Sequence, residues 1–296
     1  MNLKNFLLTL FSLLVTVFSY GQTNVLNADS PEEFGKKTIE QIQADNDYPL
    51  EYGYVDERDV LWAKTTWEII DLDERINFPL YYPIDTVNIG ADRRSLYDVL
   101  LSNVKSGEIK NIYSDSYFTE TRTLEDLEST LSKIDTLDLG YEQYNAGETV
   151  DPQYIEVTTV GAPDIAEYHI RGYWYFDKRQ GELRYRLLGI APVAPDVNFL
   201  NDDEPDMVPL FWVYYKDVRE ILHNAKAFNR KNTSMPFTYD HVLNARRFSS
   251  VIYKEDNIQG DREVNDYIID NALMQLLESE RIKESIRNFE MDMWSY

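Results

Sequence analysis

Apolar and polar positions change period several times along the chain, and each change predicts an element. Ser95 to Gly107 reads as a helix. Ser95 caps it, Leu96, Val99, Leu100 and Val104 form a stripe, and Gly107 stands just past the end. Thr123 to about Asp135 repeats the pattern, with Leu124, Leu127, Leu131 and Ile134 in phase. Residues 58–75 also read as a helix, because Val60, Trp67, Ile70 and Glu74 fall near a 3.6 period with Lys64 on the same line. Asn77-Phe78-Pro79 ends that helix, since the residue before a proline avoids the helical region. Ser30-Pro31-Glu32-Glu33 has the form of an earlier helix start, although Phe34, Ile39 and Ile42 give it only a weak apolar face.

In the middle of the chain the period switches to two. Tyr168, Ile170, Gly172, Trp174 and Phe176 share one face, and His169, Arg171, Tyr173 and Tyr175 the other. Asp177 to Gly181 forms a turn, and Glu182 to Ile190 returns with Leu183, Tyr185 and Leu187 alternating against Arg184 and Arg186. This predicts an antiparallel hairpin with Trp174 and Phe176 inward and Tyr173, Tyr175 and Arg171 outward. Val208 to Tyr215 reads as a further strand running into a helix near Lys216 to Phe228. Tyr239 to Arg247 reads as a short helix and Phe248 to Tyr253 as a strand. From Asp261 onward the chain reads as helical, with Ile282, Ile286, Phe289 and Met293 as its stripe. Residues 138–165, with three glycines and two prolines among polar residues, read as a flexible segment with room for a short strand at Tyr154 to Val160. The sum is an α+β domain: helical N- and C-terminal regions around a central antiparallel, hairpin-containing sheet, with no internal repeat.

The N-terminus follows a different logic. Lys4 lies in a short positive region, Phe6 to Phe18 is apolar apart from Thr and Ser, and Ser19-Tyr20-Gly21 sets small residues before a cleavage point. This predicts a signal peptide over 1–21, cut between Gly21 and Gln22, and an N-terminal extension over 22–55. Without a Cys after the apolar run the chain is not expected to be a lipoprotein, and with no later apolar span it is not expected to insert in a membrane.

Composition narrows the function. The 296 residues hold 29 basic and 52 acidic side chains, a formal net charge of -23, which disfavours nucleic acid and anionic membrane surfaces. No Cys is present, so disulfides, thiolate catalysis and Cys-ligated zinc are absent. The 22 Tyr residues suit a protein that makes contacts.

Four blocks carry a family resemblance. They are Asp59 to Leu72 continuing through Glu74 to Pro83, Asp92 to Leu100, the hairpin from Phe176 to Leu183 with Gly189 to Pro192, and Asn244 to Ser250 with Tyr253 to Asn257. Together they resemble the GldN/PorN family of the gliding-motility and type IX secretion apparatus. The resemblance implies a GldN-like domain over 56–296 and a periplasmic structural subunit without catalytic activity. It further implies a ring-like assembly with an outer-membrane lipoprotein of the GldK/PorK type, and contact with the periplasmic region of a GldM/PorM-type motor protein.

The candidate chemistry is sparse. His169, His223 and His241 are widely separated, and no zinc-protease, nucleophile-elbow or phosphate-loop motif occurs. No catalytic residue, cofactor or metal site is therefore expected. The acidic loop at 198–206 offers hard oxygens that could hold calcium, but its spacing is not that of an EF-hand and it reads as a solvated loop. Arg93, Arg94, Arg246 and Arg247 form two doublets that either bridge locally or meet acidic patches on neighbouring subunits. With Arg171, Tyr173 and Tyr175 they are the candidate partner-contact residues. The alternative from another class is a periplasmic protein that binds or hydrolyses cell-wall glycan, which needs two carboxylates across one cleft.

Overall fold

A computed structural model describes residues 47–85, 93–147, 149–199, 205–229, 237–269 and 271–294. The expected signal segment with Gly21 and Gln22, the helix start at Ser30, and the centre of the acidic loop at 201–204 lie outside them. The chain divides between Tyr48 and Pro49 into two units. The second unit holds every helix and strand among the described residues.

The chain enters through strand β1 (Val60–Asp71), followed by a single helical turn α1 (Phe78–Tyr81) and helix α2 (Leu96–Lys105). A small ribbon β2 (Ile112–Tyr113) and β3 (Thr121–Arg122) precedes helix α3 (Leu124–Leu131). Next come β4 (Ser132–Thr136), α4 (Asp138–Asn145) and β5 (Ile155–Thr159). The long hairpin is β6 (Glu167–Asp177) and β7 (Glu182–Pro195). Short strands β8 (Met207–Pro209) and β9 (Val213–Tyr214) lead into α5 (Tyr215–Asn224). Then follow β10 (Lys226–Ala227), β11 (Phe237–Thr238), α6 (Tyr239–Asn244) and β12 (Val251–Glu255). The chain ends in α7 (Val264–Tyr267) and the long helix α8 (Ala272–Trp294). The expected α+β class is observed.

The main sheet runs β12-β1-β6-β7-β8, with β9 also on β7, and every pairing is antiparallel. Cross-strand partners share a face. The register Lys64↔Trp174, Thr66↔Gly172, Glu68↔Ile170 and Ile70↔Tyr168 therefore defines one face, and Thr65↔Tyr173, Trp67↔Arg171 and Ile69↔His169 the other. Along the first face lie two cores. Ile70, Tyr168, Ile170 and Ile190 pack with Leu96 and Leu100 of α2, Val218 and Leu222 of α5, and Tyr239 and Leu243 of α6. At the other end of that face, Ile252 packs with Val264, Ile282 and Ile286, with Trp62, Trp174 and Leu183 against them. The opposite face carries a small cluster of Trp67, Ala191 and Trp212.

One expectation fails outright: residues 60–71 are a strand, not a helix. β1 is the inner strand between β12 and β6, and Thr65 to Glu68 are all buried. A strand covered on both faces loses its polar alternation. The β-branched Val60, Thr65, Thr66, Ile69 and Ile70 favour the extended form. Asn77 does not end a helix but precedes α1, holding the Asp71 and Ser249 carbonyls with its amide and accepting from the Ser249 N–H.

Other elements match with trimmed ends. Ser95 caps α2, accepting from the Asp98 N–H at 3.2 Å. Thr123 and Asp126 form a reciprocal capping box on α3. That helix stops at Leu131, and Ile134 belongs to β4. The segment 138–165 carries α4 and β5, the latter close to the expected strand. The expected strand 208–215 is split into β8 and β9, and the strand at 248–253 begins three residues late.

Candidate functional site

The seven candidate contact residues fall into three places. Arg246, with φ of 48°, turns back into the first face of the sheet. Its guanidinium grips the fully buried Glu68 at 2.6 and 3.1 Å, and Ser250 Oγ donates to the same carboxylate at 2.5 Å. The cation also lies 4.3 Å from the Tyr185 ring centre and 5.1 Å from that of Trp174. Burial works against its charge, but the Glu68 carboxylate and the Tyr185 hydroxyl together outweigh it and raise the Arg246 pKa. Arg246 is thus an internal partner of Glu68, the bridging alternative for its doublet, which corrects its reading as a partner-contact residue.

Arg171, Tyr173 and Tyr175 lie on the opposite face, as alternation requires, yet they do not all face solvent. The Arg171 guanidinium sits 5.1 Å from the Trp67 ring centre and 5.0 Å from that of Tyr117, and donates to the Ser116 carbonyl at 2.9 Å. Lys254 Nζ approaches the same two rings at 4.9 and 5.2 Å. Two cations thus flank one pair of rings, an arrangement attractive to each cation and stabilised by their shared aromatic faces. Tyr117 donates to Asp261 at 2.8 Å; burial and that carboxylate push its pKa up to about 12. Tyr175 is only 5% exposed and packs 6.0 Å from the half-buried Tyr173. The outward reading of Tyr175 is therefore wrong: its ring is covered by Arg186, 5.5 Å from its centre.

Arg93, Arg94 and Arg247 make the third place. Arg93 bridges to Lys226 on β10 and lays its guanidinium 4.6 Å from the Phe228 ring centre. Arg247 lies 4.6 Å from the Phe237 ring, whose other neighbour is the stacked His241 at 5.6 Å. Phe237 pairs with Ala227, so β10 and β11 bring both cations to one hairpin. Arg94 donates to the Arg93 carbonyl at 2.7 Å, and its own carbonyl accepts from Tyr239 at 2.7 Å. The sequence sets Arg246 beside Arg247; the fold instead groups Arg247 with Arg93 and adds Lys226, Phe228 and Phe237. No local signal announces that grouping, because it depends on a β10–β11 pairing of two residues per strand.

A cleft of about 580 Å³ opens beside the Trp67 cluster, lined by Asp115, Glu167, His169, Tyr253, Lys254 and Glu263 among others. His169 lies 3.3 Å from Glu167 and 5.1 Å from the Tyr253 ring. The two serines of the cleft are engaged elsewhere: Ser114 donates to Glu120 at 3.3 Å and Ser116 accepts from the Trp67 indole at 3.0 Å. Burial would lift the Asp115 pKa. The Thr119 hydroxyl and the N–H groups of Glu120, Thr119 and Tyr117 outweigh it and hold the carboxyl below its ordinary value. Such a carboxylate is a loop organiser and a poor proton donor. Among the described residues no group of three or more His, Cys, Asp or Glu is placed to hold a metal.

Across this whole arrangement, from residue 55 to residue 295, the chain matches the model of the family described as gliding motility associated protein GldN. The chain belongs to the GldN family. No curated protein matches it individually. Membership in the GldN family makes the chain a component of the gliding-motility and type IX secretion apparatus. The blocks that resembled GldN by sequence are the centre of the fold: β1, the start of α2, the β6–β7 hairpin, and the stretch from α6 to β12. Among the described residues no helix is long and apolar enough to cross a membrane.

Proposed function

We propose that this GldN family chain is a non-enzymatic, periplasmic structural subunit. It joins a ring-like complex with an outer-membrane lipoprotein of the GldK/PorK type, contacts a GldM/PorM-type motor protein, and associates with further copies of itself. The family match over 55–295 carries this reading. Side-chain geometry supports it: the buried Glu68–Arg246 pair holds the sheet, while cations on aromatic rings stay at the surface near β10 and β11. Aromatic and Arg residues of that kind dominate interface energetics.

Affinity capture from solubilised envelopes is the test. Stable co-purification of a lipoprotein and a motor protein is the expected result. A pure chain that turns over an envelope glycan, with turnover lost in His169→Ala, would replace this reading with the enzymatic alternative.

A further inference from the structure

The stretch from Ser132 to Thr159 forms an arm unlike the rest of the chain. β4 and β5 pair only with each other, in the register Ile134↔Val157, Asp135↔Glu156 and Thr136↔Ile155. α4 is seated against them at Gly140, where a Cβ would stand 2.7 Å from Thr136 Cγ2. Beyond that seat little is covered. Ile134 is 67% exposed, Val157 56% and Tyr144 70%, and Leu137, Leu139 and Tyr141 are exposed as well. One face of the ribbon is thus apolar, with Ile134, Ile155 and Val157 side by side. The other sets two carboxylates, Asp135 and Glu156, directly opposite each other, a placement that costs stability until a cation is supplied. Lys133 reaches Asp135 at 2.9 Å, but it is the single basic residue of the arm against six acidic ones.

The complementary surface exists on the same chain. Arg93 lies on Phe228 and bridges to Lys226, Arg247 lies on Phe237 across the β10–β11 pairing, and among the described residues no carboxylate lies within ion-pair distance of any of the three cations. This strip offers what the acidic face of the arm lacks, cations for Asp135 and Glu156.

We infer that the arm of one copy docks on the Arg93–Lys226–Arg247 strip of a second copy of this chain. Net charge opposes any broad contact between copies, because each carries -23, so the contact must be made where the charge reverses locally. The contact is head to tail: it leaves a pair of copies with one free arm and one free strip, so growth continues unless the rotation closes it. The inference rests on the self-association proposed above and names its interface.

The test uses the whole chain, purified as the cell processes it, in sedimentation velocity. Arg93→Glu with Arg247→Glu reverses the strip, and Asp135→Lys with Glu156→Lys reverses the arm. Each is expected to weaken self-association roughly tenfold or more, and an equimolar mixture of the two to restore it, because both junctions are then complementary again. All four positions lie at the surface, so an unchanged unfolding midpoint certifies the variants. A wild type that associates, with variants that associate equally, overturns the interface while leaving self-assembly standing. A wild type that stays monomeric overturns both. Variants that lose the lipoprotein yet keep self-association assign the strip to another protein and overturn the inference.

Discussion

The β1–β6 pairing and the β4–β5 pairing use the same antiparallel ladder, yet they do opposite things. In the first, both faces are covered, and even the charged Glu68 is removed from water and held by Arg246 and Ser250. In the second, apolar side chains stand in water and two acids oppose each other across the ribbon. Backbone pairing is therefore not what separates framework from arm. Coverage is: helices α2, α5, α6 and α8 all pack against the main sheet, and the arm has only α4. The fold should tolerate changes in the arm and punish them in the sheet.

The sharpest way to break this contrast is at Glu68. Glu68→Ala leaves the largely buried Arg246 cation without its carboxylate, and chemical denaturation is expected to show a loss of about 3–5 kcal/mol. A cost below about 1 kcal/mol would mean that water reaches the pair and that the sheet interior is not sealed there. The next effect is steric. An added Cβ at Gly172 would meet the Tyr185 ring at 2.2–2.5 Å. Gly172→Ala is expected to cost about 1–3 kcal/mol as the ring is forced aside. Its near-ultraviolet circular dichroism should change with it, because Tyr185 also packs on Trp174. The smallest effect belongs to the arm. Ile134→Ser with Val157→Ser is expected to move global stability by no more than about 0.5 kcal/mol. A loss above about 2 kcal/mol would place the arm inside the cooperative unit and dissolve the comparison.

Legibility in the sequence follows the same division. Helices with one wet and one dry face are legible, α2 behind its Ser95 cap and α3 behind Thr123, and the β6–β7 hairpin is legible because its alternation brackets the turn at Asp177 to Gly181. β1 is not, because burial on both sides erases the alternation that marks a strand, and Trp67 and Ile70 then mimic a helical stripe. Glu68 looks like one of many surface acids, since its partner Arg246 lies 178 positions away and only the closed sheet brings them together. Tyr175 shares the face that alternation gives it, but Arg186 from the neighbouring strand covers it. Of the candidate contacts, Arg93 and Arg247 stand exposed and Arg94 half-buried beside them, whereas Arg246 and Tyr175 are consumed by packing.

The strand order also bears on how the chain is made. β1 is synthesised early, and one of its two neighbours, β12, arrives only after β11 and α6 have emerged. Until then a ribosome-bound chain presents the Thr66–Ile69 edge with unpaired N–H and C=O groups, a ready template for mispairing. Closing so distant a pair also carries a large entropic delay. The nascent chain should therefore depend on a holding chaperone for as long as β12 is missing, and release from it should coincide with the arrival of that strand.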